Sequence, residues 1–257
     1  MLRIRRLRAR AGPERDRRAV RRHDHLKRLQ AFASLLLSLA VAGCGSESEP
    51  TTTAAERPGT GATLVAALGD SITAGSPGYD PDPAVRAQLP GGGDERSQYE
   101  HWAERAEPGL ELRNCGDSGE RTDQIAARLA ECAEGADALI VQGGVNDIAQ
   151  RRPVTAAARD LRSMVRRGEE LGLDVHLVTL LPWNGGHPAA DRPIARLNER
   201  IEAIGADEGV EVIPFHDELE DPGEPGTMPA RLTADGAHPS IAGYRRLGEL
   251  VAERVGG

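Results

Sequence analysis

Aromatic residues make up only 3% of the 257 residues, and the chain has three cysteines. With so few rings, the core must be built mostly from leucine, valine, isoleucine and alanine. The sequence contains no CxxC pair and no grouping of histidine and cysteine at zinc-ligand spacing. The sequence therefore predicts no structural metal. The length allows one domain of about 200 residues with additional segments.

Basic residues are scarce outside the N-terminus. Residues 1–43 hold 12 Lys and Arg against 3 Asp and Glu, while the whole chain holds 32 against 40. The remainder therefore has 20 positive and 37 negative side chains, a net charge of −17. Because phosphate contacts need clustered lysine and arginine, a nucleic-acid partner is not expected for this acidic body.

No apolar run is long enough to span a bilayer comfortably, which takes about 20 residues. The apolar run 31–43, which no charge interrupts, follows a cationic segment and leads directly to Cys44, as the last residue of VAGC. This layout predicts a lipoprotein-type signal peptide over 1–44, with lipidation of Cys44. A plain signal peptide or a short anchor helix is the alternative. We expect an exported protein, anchored by lipid to the extracytoplasmic face of the cell membrane.

Residues 45–63 have almost no large apolar side chain and are rich in serine, threonine, proline and glycine. Such a composition predicts a flexible linker, with the folded domain over 64–257. Within that domain Cys115 and Cys132 form an even pair. In an exported protein the pair suggests a disulfide, with two buried free thiols as the alternative.

Five short apolar runs alternate with segments of helical periodicity along the domain. The runs, rich in valine, leucine and isoleucine, cover 63–68, 110–114, 138–144, 175–181 and 210–215. Helices are expected over 98–106, 122–132, 154–171, 193–207 and 240–255. Strands that alternate with helices predict a parallel sheet covered on both faces. The nearly continuous apolar strands agree, because both faces of such strands are buried.

Polar and glycine residues follow the expected strands at the edge where open parallel sheets bind ligands. GDS (69–71) follows the first strand, and GDSG (116–119) follows the second. GGVND (143–147) follows the third strand, and DGAHP (235–239) comes after a loop beyond the fifth. A functional site is therefore expected at this edge.

These residue types suit nucleophilic catalysis. Ser71 is the candidate nucleophile, His238 the candidate base, and Asp235 the acid that would orient the imidazole. The backbone N–H groups of Ser71 and Gly119 and the side-chain amide of Asn146 could form an oxyanion hole. Each of these short segments alone is more often an ordinary turn or helix cap, but four of them in order after the correct strands indicate a site.

The nucleophile elbow Gly-x-Ser-x-Gly is absent, since Thr73 stands where its second glycine would be, which argues against an α/β-hydrolase fold. Four segments together instead resemble the four blocks of the GDSL-type esterases, or SGNH hydrolases. They are GDSI (69–72), NCGDSGERT (114–122), GGVND (143–147) and DGAHPS (235–240). The resemblance implies a flavodoxin-like, three-layer α/β/α sandwich on a five-stranded parallel sheet. It also implies the roles given above for the residues of the four blocks.

The resulting expectation is a monomeric serine esterase that needs no metal or cofactor and hydrolyses O-acyl esters of small molecules or carbohydrates through an acyl-enzyme. A carbohydrate O-deacetylase of the cell envelope and a non-catalytic ligand-binding lipoprotein are the alternatives. Trp183 and Asn184, after the fourth strand, could line an acyl or sugar pocket, or serve packing. Residues 81–95 resemble an insertion that could shape the substrate side of the cleft.

Overall fold

A single parallel sheet forms the centre of the domain. A computed structural model describes residues 61–183 and 189–257. In this part of the chain five strands pair in parallel in the order β2-β1-β3-β4-β5: β1 Thr63–Gly69, β2 Leu110–Gly116, β3 Ala138–Val141, β4 Asp174–Val178 and β5 Glu211–Ile213. This is the flavodoxin-like order of doubly wound sheets, and it confirms the predicted fold class.

Nine helices occur in the described ranges. They are α1 Ser71–Ala74, α2 Pro83–Arg86, α3 Tyr99–Ala106, α4 Thr122–Cys132, α5 Val145–Ala149, α6 Val154–Glu170, α7 Asp191–Glu208, α8 Phe215–Leu219 and α9 Ile241–Val255. The five long helices lie within two residues of their predicted bounds. The last begins one residue later than predicted, because Ser240 is its N-cap and its hydroxyl accepts from the Gly243 N–H.

The sheet separates two apolar layers because successive strand residues point to opposite faces. On one face, Ala66 and Leu68 of β1 pack with buried residues of α4, α6 and α7. On the other face, Val65 and Ala67 pack with buried residues of α3, α8 and α9. Both faces of the sheet are thus covered, as the continuous apolar strands predict.

The few aromatic residues are concentrated in the second layer. Tyr99, Phe215 and Tyr244 are fully buried, and the rings of Tyr99 and Phe215 meet edge to face with centroids 5.5 Å apart. The remaining core is aliphatic, in agreement with the composition. Tyr244 also donates its hydroxyl to the carbonyl of Ser76, which ties α9 to the turn after α1.

The structure places the sulfurs of Cys115 in β2 and Cys132 in α4 at bonding distance, with their Cα atoms 6.0 Å apart, as a disulfide requires. The folded chain is already in the sheet at Thr63, where β1 begins. The predicted signal peptide, Cys44, most of the predicted linker and Asn184 lie outside the described residues. Among the helices that are described, none combines the length and apolar character needed to cross a membrane.

Candidate active site

Ser71 lies at a sharp turn between β1 and α1. Asp70 caps this short helix, since its side chain accepts a hydrogen bond of 3.0 Å from the Ile72 N–H. Gly75 ends the helix with a φ of 101°, a left-handed conformation that glycine adopts without strain. Gly116, at the end of β2, has no side chain where α1 passes, and a Cβ there would collide with the backbone of Ala74. These features place Ser71 at the carboxyl edge of the sheet.

A chain of two side-chain hydrogen bonds joins Ser71 to His238 and Asp235. The Ser71 Oγ lies 3.0 Å from Nε2 of His238, and Nδ1 of the same ring lies 2.7 Å from Oδ2 of Asp235. Asp235 Oδ1 also accepts from the backbone N–H groups of Ala237 and His238, at 2.9 Å and 2.8 Å. The structure thus brings the predicted nucleophile, base and acid together in the order that general-base activation of a serine requires.

The charge on Asp235 is stabilised by these contacts. Burial acts to raise the pKa of Asp235, but the hydrogen bonds from the backbone and ring of His238 and from the Ala237 N–H outweigh it and hold the pKa below its usual range. Asp235 is therefore ionised at neutral pH, and its carboxylate accepts from the Nδ1–H of His238. This contact leaves Nε2 available to accept the Ser71 proton.

The turn that carries the acid and the base is closed by local contacts. The His238 carbonyl accepts from the Ala234 N–H at 2.8 Å and from the Thr233 hydroxyl at 2.9 Å. Ser240 then caps α9 and donates its own hydroxyl to the Arg231 carbonyl. Because Asp235 and His238 share one turn, their relative position depends little on distant parts of the fold.

The loop between β2 and α4 carries Gly119 beside the Ser71 turn. Two contacts place it there: the Asp117 N–H donates to the Gly69 carbonyl at 3.0 Å, and the hydroxyls of Ser118 and Ser76 lie 3.0 Å apart. Gly119 has a φ of 86°, which favours glycine. A Cβ at Gly119 would meet no atom within 4 Å. Glycine is therefore needed at this position for its backbone conformation and not for space.

Asn146 and its neighbour Asp147 fasten this loop to α5. Asn146 Nδ2 donates to the Glu120 carbonyl at 3.0 Å, which uses one of the two amide hydrogens and orients the other. The buried Asp147 accepts from both the backbone N–H and the hydroxyl of Thr122, and it pairs with Arg152. The two predicted oxyanion-hole segments are thus held against each other at one edge of the sheet.

Asp70 is a buried carboxyl next to the nucleophile. Burial raises its pKa to about 6, although the Ile72 N–H and the side chain of Gln142 act to lower it. Gln142 also accepts from the Asp70 N–H and the Thr73 hydroxyl, both at 3.0 Å, so it joins the end of β3 to the Ser71 turn. Oδ2 of Asp70 is buried without a hydrogen-bond partner. Asp70 therefore changes its charge in the mildly acidic range.

Two cavities lie at the carboxyl edge of the sheet. One, of about 470 Å³, is bounded by Tyr79, Val85 and Leu89 on one side and by Gly116 to Ser118 on the other. Residues of the predicted insertion therefore do border a cavity beside the Gly119 loop. The other, of about 230 Å³, contains Trp183 together with Ile194, His216 and Glu220. Trp183 also packs against the apolar layer under α7.

Within the described residues, His216, Asp217 and Glu220 could contribute ligand atoms to a cation, since these atoms lie within 4.8 Å of one another. The group lies on the short helix α8 and its end. Glu220 already accepts from the Gly226 N–H at 2.7 Å. Exposed acidic groups commonly lie this close without a metal, and we assign the group no role.

Three polar side chains that bind the site loops were missed from the sequence. Arg128 donates to the carbonyls of Gly69 and Cys115 and pairs with Glu120, and Gln142 and Gln150 bind the Ser71 and Gly119 segments. Arg128 and Gln150 have no motif that marks them. Gln142 directly follows a buried strand, and that strand-exit position could have identified it.

Comparisons with known proteins establish the family and the fold of the chain. The family model of the GDSL-like lipase/acylhydrolase family matches residues 67–246, which is 180 of 257 residues. A search of curated proteins gave no match. Similar solved structures include a lipase/acylhydrolase from Enterococcus faecalis, with 23% identity, a TM-score of 0.59, and coverage of 75% of this chain and 95% of that one.

Two further structures have the same fold. A member of the lipolytic protein G-D-S-L family from Veillonella parvula is 20% identical, with a TM-score of 0.59 and coverage of 75% of this chain and 97% of that one. A mutant of an acetyl-xylooligosaccharide esterase from Geobacillus is 22% identical, with a TM-score of 0.61 and coverage of 77% and 96%. At these identities the likeness establishes the fold alone. The family model covers more than two thirds of the sequence, and the chain therefore belongs to the GDSL-like lipase/acylhydrolase family of ester-hydrolysing enzymes.

Proposed function

We propose that the protein hydrolyses O-acyl esters through an acyl-enzyme formed on Ser71. The observation that carries the proposal is the continuous hydrogen-bond chain from Asp235 through His238 to Ser71. In the first half-reaction His238 Nε2 takes the Ser71 proton while Oγ attacks the ester carbonyl carbon. The proton then passes to the alcohol oxygen as the carbon–oxygen bond of the ester breaks.

In the second half-reaction water replaces the alcohol. His238 removes a proton from water, the resulting hydroxide attacks the acyl carbon, and the proton returns to Ser71 Oγ as the carboxylic acid leaves. Both halves pass through a tetrahedral intermediate with a negative oxygen. The N–H groups of Ser71 and Gly119 and the amide of Asn146 are the donors that we propose for this oxygen.

Replacement of the nucleophile tests the proposal. Ser71→Ala removes the attacking oxygen, so turnover of p-nitrophenyl acetate and covalent labelling by a fluorophosphonate should both fall to background. Ser163→Ala is the matched control, since Ser163 is an exposed serine on α6 that makes no contact with the Ser71 turn or the Gly119 loop. It should retain activity and labelling. Full activity of a folded Ser71→Ala protein would refute the mechanism.

A carbohydrate O-deacetylase is the second candidate. The fold is shared with an acetyl-xylooligosaccharide esterase and with an acetyl xylan esterase. Acetate release from acetylated xylan and peptidoglycan should be compared with hydrolysis of p-nitrophenyl esters from acetyl to palmitoyl. Activity confined to acetyl groups on polysaccharide would favour the deacetylase, and activity that rises with chain length would exclude it.

A further inference from the structure

The backbone of Gly119 must be held in place by contacts from other residues. An oxyanion-hole donor is effective only when it is held in place before the reaction. Gly119 lies in an exposed loop, and a Cβ there would contact no atom within 4 Å. No side-chain packing can therefore fix this residue, and glycine is the residue with the greatest backbone freedom. The contacts of Asp117 and Ser118 hold the two residues before Gly119, so the orientation of Gly119 itself depends on hydrogen bonds made to its backbone.

Gln150 makes such a hydrogen bond. Its Nε2 donates to the Gly119 carbonyl at 3.0 Å, and its Oε1 accepts from Nη1 of Arg121 at 2.8 Å. The Gln150 backbone N–H in turn donates to the Asn146 carbonyl at 2.9 Å, at the end of α5. One amide side chain thus links the residue that would supply one oxyanion donor to the helix that carries another.

The inner end of the same loop has separate anchors. Thr122 is bound by the fully buried Asp147, and the Glu120 carbonyl accepts from Asn146. These contacts hold the start of α4 whether or not Gln150 is present. Gln150 binds the outer end, where Gly119 lies, so its removal should free the Gly119 peptide without unfolding the loop.

We propose that Gln150 is a positioning residue that holds the Gly119 N–H in the direction required by the oxyanion. This inference rests on the proposed acyl-enzyme mechanism. With the Gly119 carbonyl bound, the peptide unit between Gly119 and Glu120 is held in place, and the Gly119 N–H on the preceding unit can turn only about the two backbone bonds of this glycine. Without that bond the Gly119 N–H samples other orientations. The transition state is then stabilised less, whereas binding of the substrate is little affected.

Two substitutions at Gln150 distinguish the effect of its Nε2 donor from the effect of the rest of the side chain. Gln150→Glu can still accept from Arg121 but cannot donate to the Gly119 carbonyl. Gln150→Met keeps the length and removes both bonds. Each should lower kcat about tenfold with KM changed by less than about twofold, a smaller loss than the 100-fold or more expected when a donor is removed. Gln124→Met is the matched control, because Gln124 is also exposed and binds the same loop only through the Arg121 N–H.

The inhibition constant of a transition-state analogue provides a measurement that would not change if Gln150 had only a general structural role. A trifluoromethyl ketone adds to the serine as a hemiketal whose negative oxygen occupies the oxyanion hole. Its inhibition constant should rise in the Gln150 variants by the same factor by which kcat/KM falls. Thermal unfolding of each variant shows whether the protein remains folded, and only folded variants are compared.

The outcomes distinguish this inference from the proposed function. If Ser71→Ala is inactive and both Gln150 variants keep wild-type kcat, the positioning role is wrong and the mechanism stands. A rise in KM with unchanged kcat, an equal loss in Gln124→Met, or an unchanged inhibition constant would also overturn it. If Ser71→Ala itself is active, the mechanism fails first.

Discussion

At the scale of single residues, Asp235 is the side chain whose two oxygens have different tasks. Oδ1 accepts from two backbone N–H groups of its own turn, whereas Oδ2 meets Nδ1 of His238. Asp235→Asn can keep the first set of bonds through its amide oxygen. Its NH₂ group then faces Nδ1 as a donor, which favours the tautomer that carries the proton on Nε2.

That tautomer cannot accept the Ser71 proton. The Asp235→Asn protein should therefore fold normally and lose kcat by about 10⁴-fold, with the remaining rate supported by the oxyanion donors. The measurement is p-nitrophenyl acetate hydrolysis together with a thermal unfolding curve. Wild-type kcat in the folded variant would show that Asp235 does not orient the base.

Asp70 gives a second residue-scale prediction, which concerns stability. Burial raises the Asp70 pKa from 3.8 to about 6, so between these values the folded state binds more protons than the unfolded chain. The contribution of this group to the free energy of unfolding is fully present below pH 4 and is lost as the pH rises through 6. The loss is at most about 3 kcal/mol. Asp70→Asn keeps an oxygen for the Ile72 N–H and removes the titration.

The difference in unfolding free energy between pH 4.5 and pH 7 tests this point. Relative to pH 4.5, the wild type should lose more of its unfolding free energy at pH 7 than Asp70→Asn does, whatever the absolute stability of the variant. Urea unfolding at the two values of pH measures it. An identical pH difference in both proteins would mean that Asp70 does not titrate in this range.

Apart from Asp235 and His238, which share one turn, the site residues that could be predicted from the sequence are those at strand exits. Ser71, Gly119 and Asn146 follow β1, β2 and β3, and a parallel sheet necessarily gathers such positions at one edge. Gln150 and Arg128 could not be predicted in the same way. Their contacts depend on how α5 and α4 turn toward the loops, and polar residues on exposed helix faces carry no spacing that reports this.

At the scale of secondary-structure elements, the length of a helix and its apolar repeat decided whether it could be predicted from the sequence. The long helices repeat their apolar residues over several turns, and their bounds were predicted within two residues. Helices α1, α2, α5 and α8 have four or five residues each, too few to show a period. The N-caps of α1 and α2 are aspartates that accept from the N–H group two residues ahead, a local contact that ordinary turns also make.

The link between β2 and α4 supplies a prediction at this scale. Cys115 and Cys132 are separated by 17 residues, and closing a loop of this size stabilises a domain by about 3 kcal/mol on the chain-entropy argument. The double variant Cys115→Ala/Cys132→Ala should unfold about 10 °C lower than the oxidised protein. Arg128 still binds the Cys115 carbonyl in the variant, so esterase activity at 25 °C should persist.

Alkylation of the native protein provides the control for this experiment. Cys115 and Cys132 should resist iodoacetamide under denaturing conditions until a reductant is added. Wild-type protein in reductant should show the same lowered unfolding temperature as the double variant. Two thiols that react without reduction would establish the alternative of buried free cysteines.

At the scale of the whole molecule, the distribution of charge divides the chain into a basic N-terminal segment and an acidic body. Residues 1–43 carry 12 basic and 3 acidic side chains, and the remainder has a net charge of −17. The basic residues are followed by the apolar run 31–43, which lies directly before Cys44. We propose that this segment directs export and that Cys44 becomes the lipidated N-terminus of the mature protein.

Attachment to the membrane surface should then depend on a single sulfur. When the full chain is produced in a bacterial host that processes lipoproteins, the wild type should incorporate a labelled fatty acid and sediment with membranes. Cys44→Ala should incorporate no labelled fatty acid, because the acyl chains are attached through that sulfur. Ser46→Ala is the matched control and should behave as wild type. A soluble wild-type protein, or a mature N-terminus other than Cys44, would refute the anchor while leaving the esterase mechanism intact, since the proposed catalytic residues all lie beyond residue 63.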